Sequence, residues 1–283
     1  MADLALTPQT TDVEKQSVQT LPSRKYRIQT HLTTPVRPSF PTEILLLLLT
    51  ITTGIQDATT FPDYHCFASN QTGNTIFLTL AVVTPTLNGK MFVTANIAVA
   101  LALFLAAGAL TGQIGHLLHM QRTRLYLISC NMLQTILVFI AAGIHFAYSV
   151  HVSGTSALLV LGLLAAASGS QVVQSRALST TEISTAMATA AWVDLVIDPH
   201  LFQAHATGCR GRNRRAAFLL ALVMGGFLGA ILYRFAGSAT AILVSAIGKF
   251  LVSLGYLFVP AVADDVAQQQ QQPKKNQPPP SSK

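Results

Sequence analysis

Long runs of apolar residues alternate with short polar connections through most of this chain. Six runs are long enough to cross about 30 Å of hydrocarbon at about 1.5 Å per helical residue. They cover 44–60, 91–117, 125–148, 155–176, 216–234 and 236–259. The second and third contain no Asp, Glu, Lys or Arg, whereas the first carries Asp57 near its end. Two shorter apolar stretches, 74–84 and 183–197, remain, each after an unusual polar segment. The pattern predicts an all-α membrane protein with about six transmembrane helices, or eight if the short stretches also cross.

Composition supports this reading. Of 283 residues 51% are hydrophobic and only 10% charged, against about 25% charged in an ordinary soluble domain. The charges gather in the ends and in two short loops, as a bilayer demands, because an ionised group at its centre costs at least about 2.5–3.5 kcal/mol. The net charge of +7 would otherwise suggest nucleic acid. Here the basic residues flank apolar segments, so no nucleic-acid partner is expected and the charge reads as orientation. With six spans and both termini cytoplasmic, the inside collects Arg24, Lys25, Arg27, Arg37, Arg122, Arg124, Arg176, Arg210, Arg212, Arg214, Arg215, Lys274 and Lys275. The outside collects Lys90 and Arg234. Eight spans would weaken this bias without abolishing it.

Residues 1–42 are polar and rich in Thr, Gln and Pro, and 261–283 run through glutamines into Pro278-Pro279-Pro280. Such compositions cannot bury a core, so both ends are expected to be disordered tails. The first apolar run lies too far from the start for a cleavable signal, so the first span is expected to act as an uncleaved anchor. Between the tails the chain divides into a first membrane half, 43–150, and a second, 151–260. Gly54-Ile55-Gln56 closes the first span, and Gly169-Ser170-Gln171 occupies the matching region of the fourth, 115 residues later. A Thr-bearing segment follows each, Thr72 to Thr75 and Thr185 to Thr189, and then two long spans. Three spans per half would give an inverted repeat, as in many secondary transporters.

The stretch from Gly54 to Asn74 is the most polar in the apolar region. Gly54, Pro62 and Gly73 are expected to interrupt the helix there. Between them lie Gln56, Asp57, Asn70, Thr72 and, at the end, Asn74. Within a membrane such groups must pair, line a wet cavity or bind something. These residues, with Gly73, Gln171 and Thr185, are the candidate substrate-binding set. The competing reading is a loop at the membrane surface in which Asp57 and Asn74 only cap helices.

Gly-x-x-Asp-Ala at Gly54–Ala58 and Phe67-x-x-Asn-x-Thr-Gly-Asn at 67–74 resemble the signature of the YoaK-like family of small membrane proteins. The second half is similar in Gly169-x-Gln171, the Thr-rich run and Asp194-Leu195. The resemblance covers about 42–260. It departs at Val172, where the family usually shows Asn, so no role of that Asn carries over to this chain. Membership implies about six membrane helices; the family is functionally uncharacterised and supplies no substrate.

Other residues carry less. Asp194 is either a counterpart of the first-half site or a boundary marker. Lys249, midway along the last span, is expected to snorkel or to pair with Asp57 or Asp194. His116 and His119 are too few to hold a metal, and Cys66, Cys130 and Cys209 show no metal-site or disulfide spacing. Asn70-Gln71-Thr72 fits a glycosylation sequon, but its neighbours argue for burial. Gly108-x-x-x-Gly112 and Gly225-x-x-x-Gly229 allow close helix approach, and secondarily an oligomer contact. Arg210 to Arg215 read as a basic loop that fixes topology and touches anionic lipid.

No hydrolase, transferase or phosphate-loop signature is present. The chain is therefore expected not to be an enzyme and to need no cofactor. Its expected partners are the lipid bilayer, an unknown small solute and a second copy of itself. The leading expectation is a transporter or permease of a small solute, with Asp57 as the coupling group. The alternatives are a membrane scaffold or assembly factor and, third, an intramembrane enzyme using Asp57 and Asp194.

Overall fold

A computed structural model describes residues 24–178, 182–203 and 208–260. Among the described residues every regular element is helical. Six helices have the length and apolar composition to cross a membrane: α2 (Phe40–Tyr64), α4 (Thr94–Leu117), α5 (Arg124–Ala147), α6 (Thr155–Ala177), α8 (Arg210–Ala236) and α9 (Ser238–Gly255). Three are short: α1 (Arg24–Thr33), α3 (Gln71–Val83) and α7 (Ala188–Val196). At 13 and 9 residues, α3 and α7 reach only about 20 and 14 Å, well short of a bilayer core. The two short apolar stretches therefore do not make the count eight.

In α2 the leucine run is followed by threonines, which a helix in lipid can hold only if their hydroxyls are satisfied locally. Thr50, Thr53 and Thr59 donate to carbonyls one turn back at 2.9, 3.0 and 2.7 Å. The helix passes unbroken through Gly54 and keeps Pro62 inside its last turn. The interruptions expected at those two residues are thus absent. Pro62 sits so near the end that its missing N–H costs a single bond. The chain turns instead at His65, in the left-handed region (φ 52°), whose N–H donates to the Phe61 carbonyl at 2.9 Å. Gly73 is not a break either, since it lies in the first turn of α3.

Residues 24–33, expected within a disordered tail, form α1, and the segment behind it straps two helix ends together. The Val36 N–H donates to the Arg122 carbonyl at 2.7 Å and the Arg37 N–H to the Pro260 carbonyl at 3.3 Å. The remainder of both expected tails lies outside the described residues.

The helix pairing is symmetric on exchange of the two halves. α4 packs on α6 as α2 packs on α8; α5 packs on α6 as α2 packs on α9; α3 lies on α4 as α7 lies on α8; and α5 crosses α9. Glycines make the closest approaches possible. A Cβ at Gly54 would stand 2.6 Å from the Leu222 carbonyl oxygen, and one at Gly169 would overlap the Phe104 carbonyl. These residues open the two Gly-x-Gln elements, one per half. Gly225 and Gly229 face Ile51 and Ile55 of α2, and Gly108 faces Gly169, so both small-residue pairs serve contacts inside the chain.

A central cavity and a buried polar seam

In each Gly-x-Gln element the Gln and the residue after it stand about 100° apart on the helix and so face different neighbours. Gln56 and Gln171 turn toward α9, whereas Asp57 and Val172 line a cavity of about 800 Å³. The chain after α2 folds back to reach that cavity. Asn74 secures the fold-back: its Oδ1 accepts the Phe67 N–H at 3.1 Å, and its Nδ2 donates to the Phe67 carbonyl (2.8 Å) and to Gln71 Oε1 (3.0 Å). Asp57 holds the returning segment, accepting from the Ser69 N–H at 2.8 Å and the Ser69 hydroxyl at 2.5 Å. Asn70 caps α3 by accepting the Gly73 N–H at 3.2 Å.

The first turns of α3 and α7 both reach the cavity wall. Asn70, Gln71 and Thr72 come from one half, and Met187, Ala188, Thr189 and Ala190 from the other. Phe104 of α4, Val172 of α6 and Leu222 of α8 complete the apolar part. α3 is capped by Asn70, but among the described residues no side chain caps α7. Its first-turn N–H groups thus add a local positive potential to the wall. Asp194 also lines the cavity, with its carboxylate 3.7 Å from the Arg215 guanidinium.

The structure therefore splits the eight sequence candidates. Asp57, Asn70 and Thr72 line the cavity. Asn74 is fully buried behind it as a structural clamp, and Gly73 packs 3.4 Å (as a Cβ position) from the Phe67 ring. Thr185 is buried with φ 58°, and its hydroxyl has no partner among the described residues; it lies beside the lining residue Ala186. Gln56 and Gln171 belong to a separate seam.

That seam centres on Lys249. The side chain is fully buried, and its ammonium donates to Gln171 Oε1 and, at 3.5 Å, to Gln134 Oε1. It neither snorkels nor pairs with Asp57 or Asp194; among the described residues the salt bridges sit elsewhere. The reason is register: Asp57 faces the cavity, and it is Gln56 that faces α9. Gln134 in turn donates to Ser170 and to Gln174 Oε1, both at 3.1 Å, and Gln174 donates to the Leu127 carbonyl at 2.6 Å. Asn131 donates to the Lys249 carbonyl at 2.8 Å. Gln134, Gln174 and Asn131 escaped the sequence reading, although amides inside long apolar spans are the signal that marks them.

The basic segment at 210–215 is not a loop but the first turns of α8. Arg210 and Arg214 both donate to Glu43 Oε1 at 2.6 Å, and Arg215 reaches Asp198 at 3.2 Å. Among the described residues no group of His, Cys, Asp and Glu is arranged to hold a metal.

Six spanning-length helices in two exchanged halves, around a polar seam and a central cavity, define a multi-pass helical protein of membrane type. The chain belongs to the family described as Protein of unknown function (DUF1275), whose model matches residues 45–255. No match was found among curated proteins or among solved structures.

Proposed function

We propose that this protein is a permease for a small polar solute that binds in the cavity between the two halves. The observation that supports it is the wall itself, where helix starts from opposite halves meet beside Asp57. Convergence of discontinuous segments at a repeat interface is how many transporters build a mid-membrane site. Asn70 and Thr72 would supply directional polar contacts, and Asp57 would be the coupling carboxylate, released from Ser69 when the fold-back moves. Gln56 and Gln171 contribute as part of the moving seam instead of touching solute.

Within the family, the Asn-x-Thr-Gly-Asn element supports the YoaK-like subgroup. The bias of basic residues supports cytoplasmic termini. Lipid is the surrounding partner, and the exposed apolar face of α4, with Leu103, Leu105 and Leu110, would suit a second copy. Nucleic acid has no place in this reading, and neither does an enzymatic role. Asp57 and Asp194 both line the cavity, but the first is engaged by Ser69 and the second lies beside Arg215. A scaffold without transport activity is the alternative, and it predicts that no solute binds.

The test is thermal stabilisation of the purified full chain in detergent against ions, amino acids, sugars, nucleobases and organic acids. A native-state ligand raises Tm by mass action. A hit lost in Asp57→Asn or in the cavity-filling Ala190→Phe supports the cavity. A well-folded protein that nothing stabilises favours the scaffold.

A further inference from the structure

Three observations about the seam bear on one another. First, the internal repeat makes Gln56 and Gln171 equivalent, and likewise Gln134 and Lys249, which stand 115 residues apart. Second, hydrogen-bond direction fixes how the two equivalent glutamines are turned. The Thr53 hydroxyl gives its hydrogen to the Leu49 carbonyl, so it accepts from Gln171 Nε2 at 2.9 Å, and Gln171 Oε1 is left for Lys249. The Ser245 hydroxyl gives its hydrogen to the Thr52 carbonyl, so it accepts from Gln56 Nε2 at 2.6 Å. Gln56 Oε1 is then turned away, fully buried, and has no partner among the described residues. Third, Ser245 lies one helical turn before Lys249, on the same face of α9.

The geometry points to a two-position contact: Lys249 exchanges its ammonium between Gln171 of α6, the acceptor filled here, and Gln56 of α2, the acceptor left vacant, as the two halves exchange conformations. Repeat symmetry by itself would pair Gln56 with Gln134; what singles out Lys249 is that Gln56 already contacts α9 at Ser245, one turn before Lys249, with its own Oε1 open. An unpaired buried acceptor is unfavourable, and a second arrangement that uses it would offset that cost. The contact rests on the permease reading for its purpose, because alternating access is what the exchange would serve. Its observation does not depend on any solute.

The experiment is double electron–electron resonance on the full chain in nanodiscs, with Cys130→Ala to silence the half-buried native thiol. One spin-label pair replaces Asn88 and Phe235 at one end of the bundle, and the other replaces His119 and Phe202 at the opposite end; each pair bridges the halves. Two distance populations are expected, with reciprocal changes at the two ends. Gln56→Glu, which puts a carboxylate at the vacant acceptor, should enrich the second population several-fold. Gln171→Glu should deplete it, and Gln56→Leu should remove it. These glutamate variants keep side-chain size, so they remain informative if Gln56→Leu does not fold. A single population unchanged in every variant, or shifts in the same direction for Gln56→Glu and Gln171→Glu, overturns the proposal. Opposite shifts without any solute uptake would leave this contact standing and remove the permease reading alone.

Discussion

Lys249 of α9 donates its ammonium to the side-chain carbonyl of Gln171 of α6, with both residues buried and no carboxylate in the described ion pairs reaching either. A buried charge held by neutral carbonyls depends heavily on each of them. Gln171→Leu should destabilise the protein by about 2–4 kcal/mol, the range for removing a partner from a buried charge. Lys249→Met in the same chain should recover part of that loss, because the orphaned charge goes with it. Chemical denaturation of the single and double variants in detergent measures the coupling, and strictly additive effects would contradict it.

The two halves touch through backbone at glycines, which predicts a sharp contrast between neighbours. A Cβ at Gly225 would overlap the Ile51 carbonyl, whereas one at Gly226 meets nothing within 4 Å. Gly225→Ala should cost about 1–3 kcal/mol through overpacking, and Gly226→Ala should be neutral or slightly stabilising. Thermal melts of the pair check this; equal melting temperatures would mean α2 and α8 are not so closely apposed.

The fold-back is secured from behind, so its residues should divide by role. Asn74→Ala removes bonds to Phe67 and Gln71 and should lower stability by about 2–3 kcal/mol, at roughly 1 kcal/mol per buried bond. Thr72→Ala, at an exposed cavity position, should leave stability unchanged while weakening any ligand found. Melting curves with and without that ligand separate the two effects.

Thiol reactivity reports the same geometry. Cys66 and Cys209 are buried and Cys130 is half-buried. Maleimide should leave Cys66 unmodified until the protein unfolds, whereas a cysteine in place of Thr72 should react in the folded state. Fast labelling of native Cys66 would show the fold-back to be open.

Much of the architecture was legible in the sequence because a bilayer excludes charge so strongly. The runs from 91 to 148 marked α4 and α5 with little ambiguity, and the Gly-x-Gln elements fall at two of the closest helix approaches. The site was only partly legible. Pro62 looked like a break, but proximity to the helix end makes it tolerable, and the actual turn at His65 depends on contacts made by Asn74. Lys249 could be flagged as costly, yet its partners follow from the rotational register of α5, α6 and α9, which no local pattern specifies. The same register gives Gln56 and Asp57, adjacent in sequence, different neighbours around α2. The basic run at Arg210 to Arg215 read as a loop because the carboxylate that Arg210 and Arg214 share, Glu43, is distant in sequence.

The central claim, that the cavity between the halves is the path of a solute, is tested most directly by uptake. Wild-type protein and Ala190→Trp, which fills the cavity from an exposed wall position, would be reconstituted into liposomes and given the radiolabelled compound that best stabilises the purified chain. The account predicts time-dependent accumulation by the wild type and its loss in Ala190→Trp, with both proteins folded and inserted to the same extent. Equal accumulation by the two, or none by a wild type that binds the compound, would contradict it.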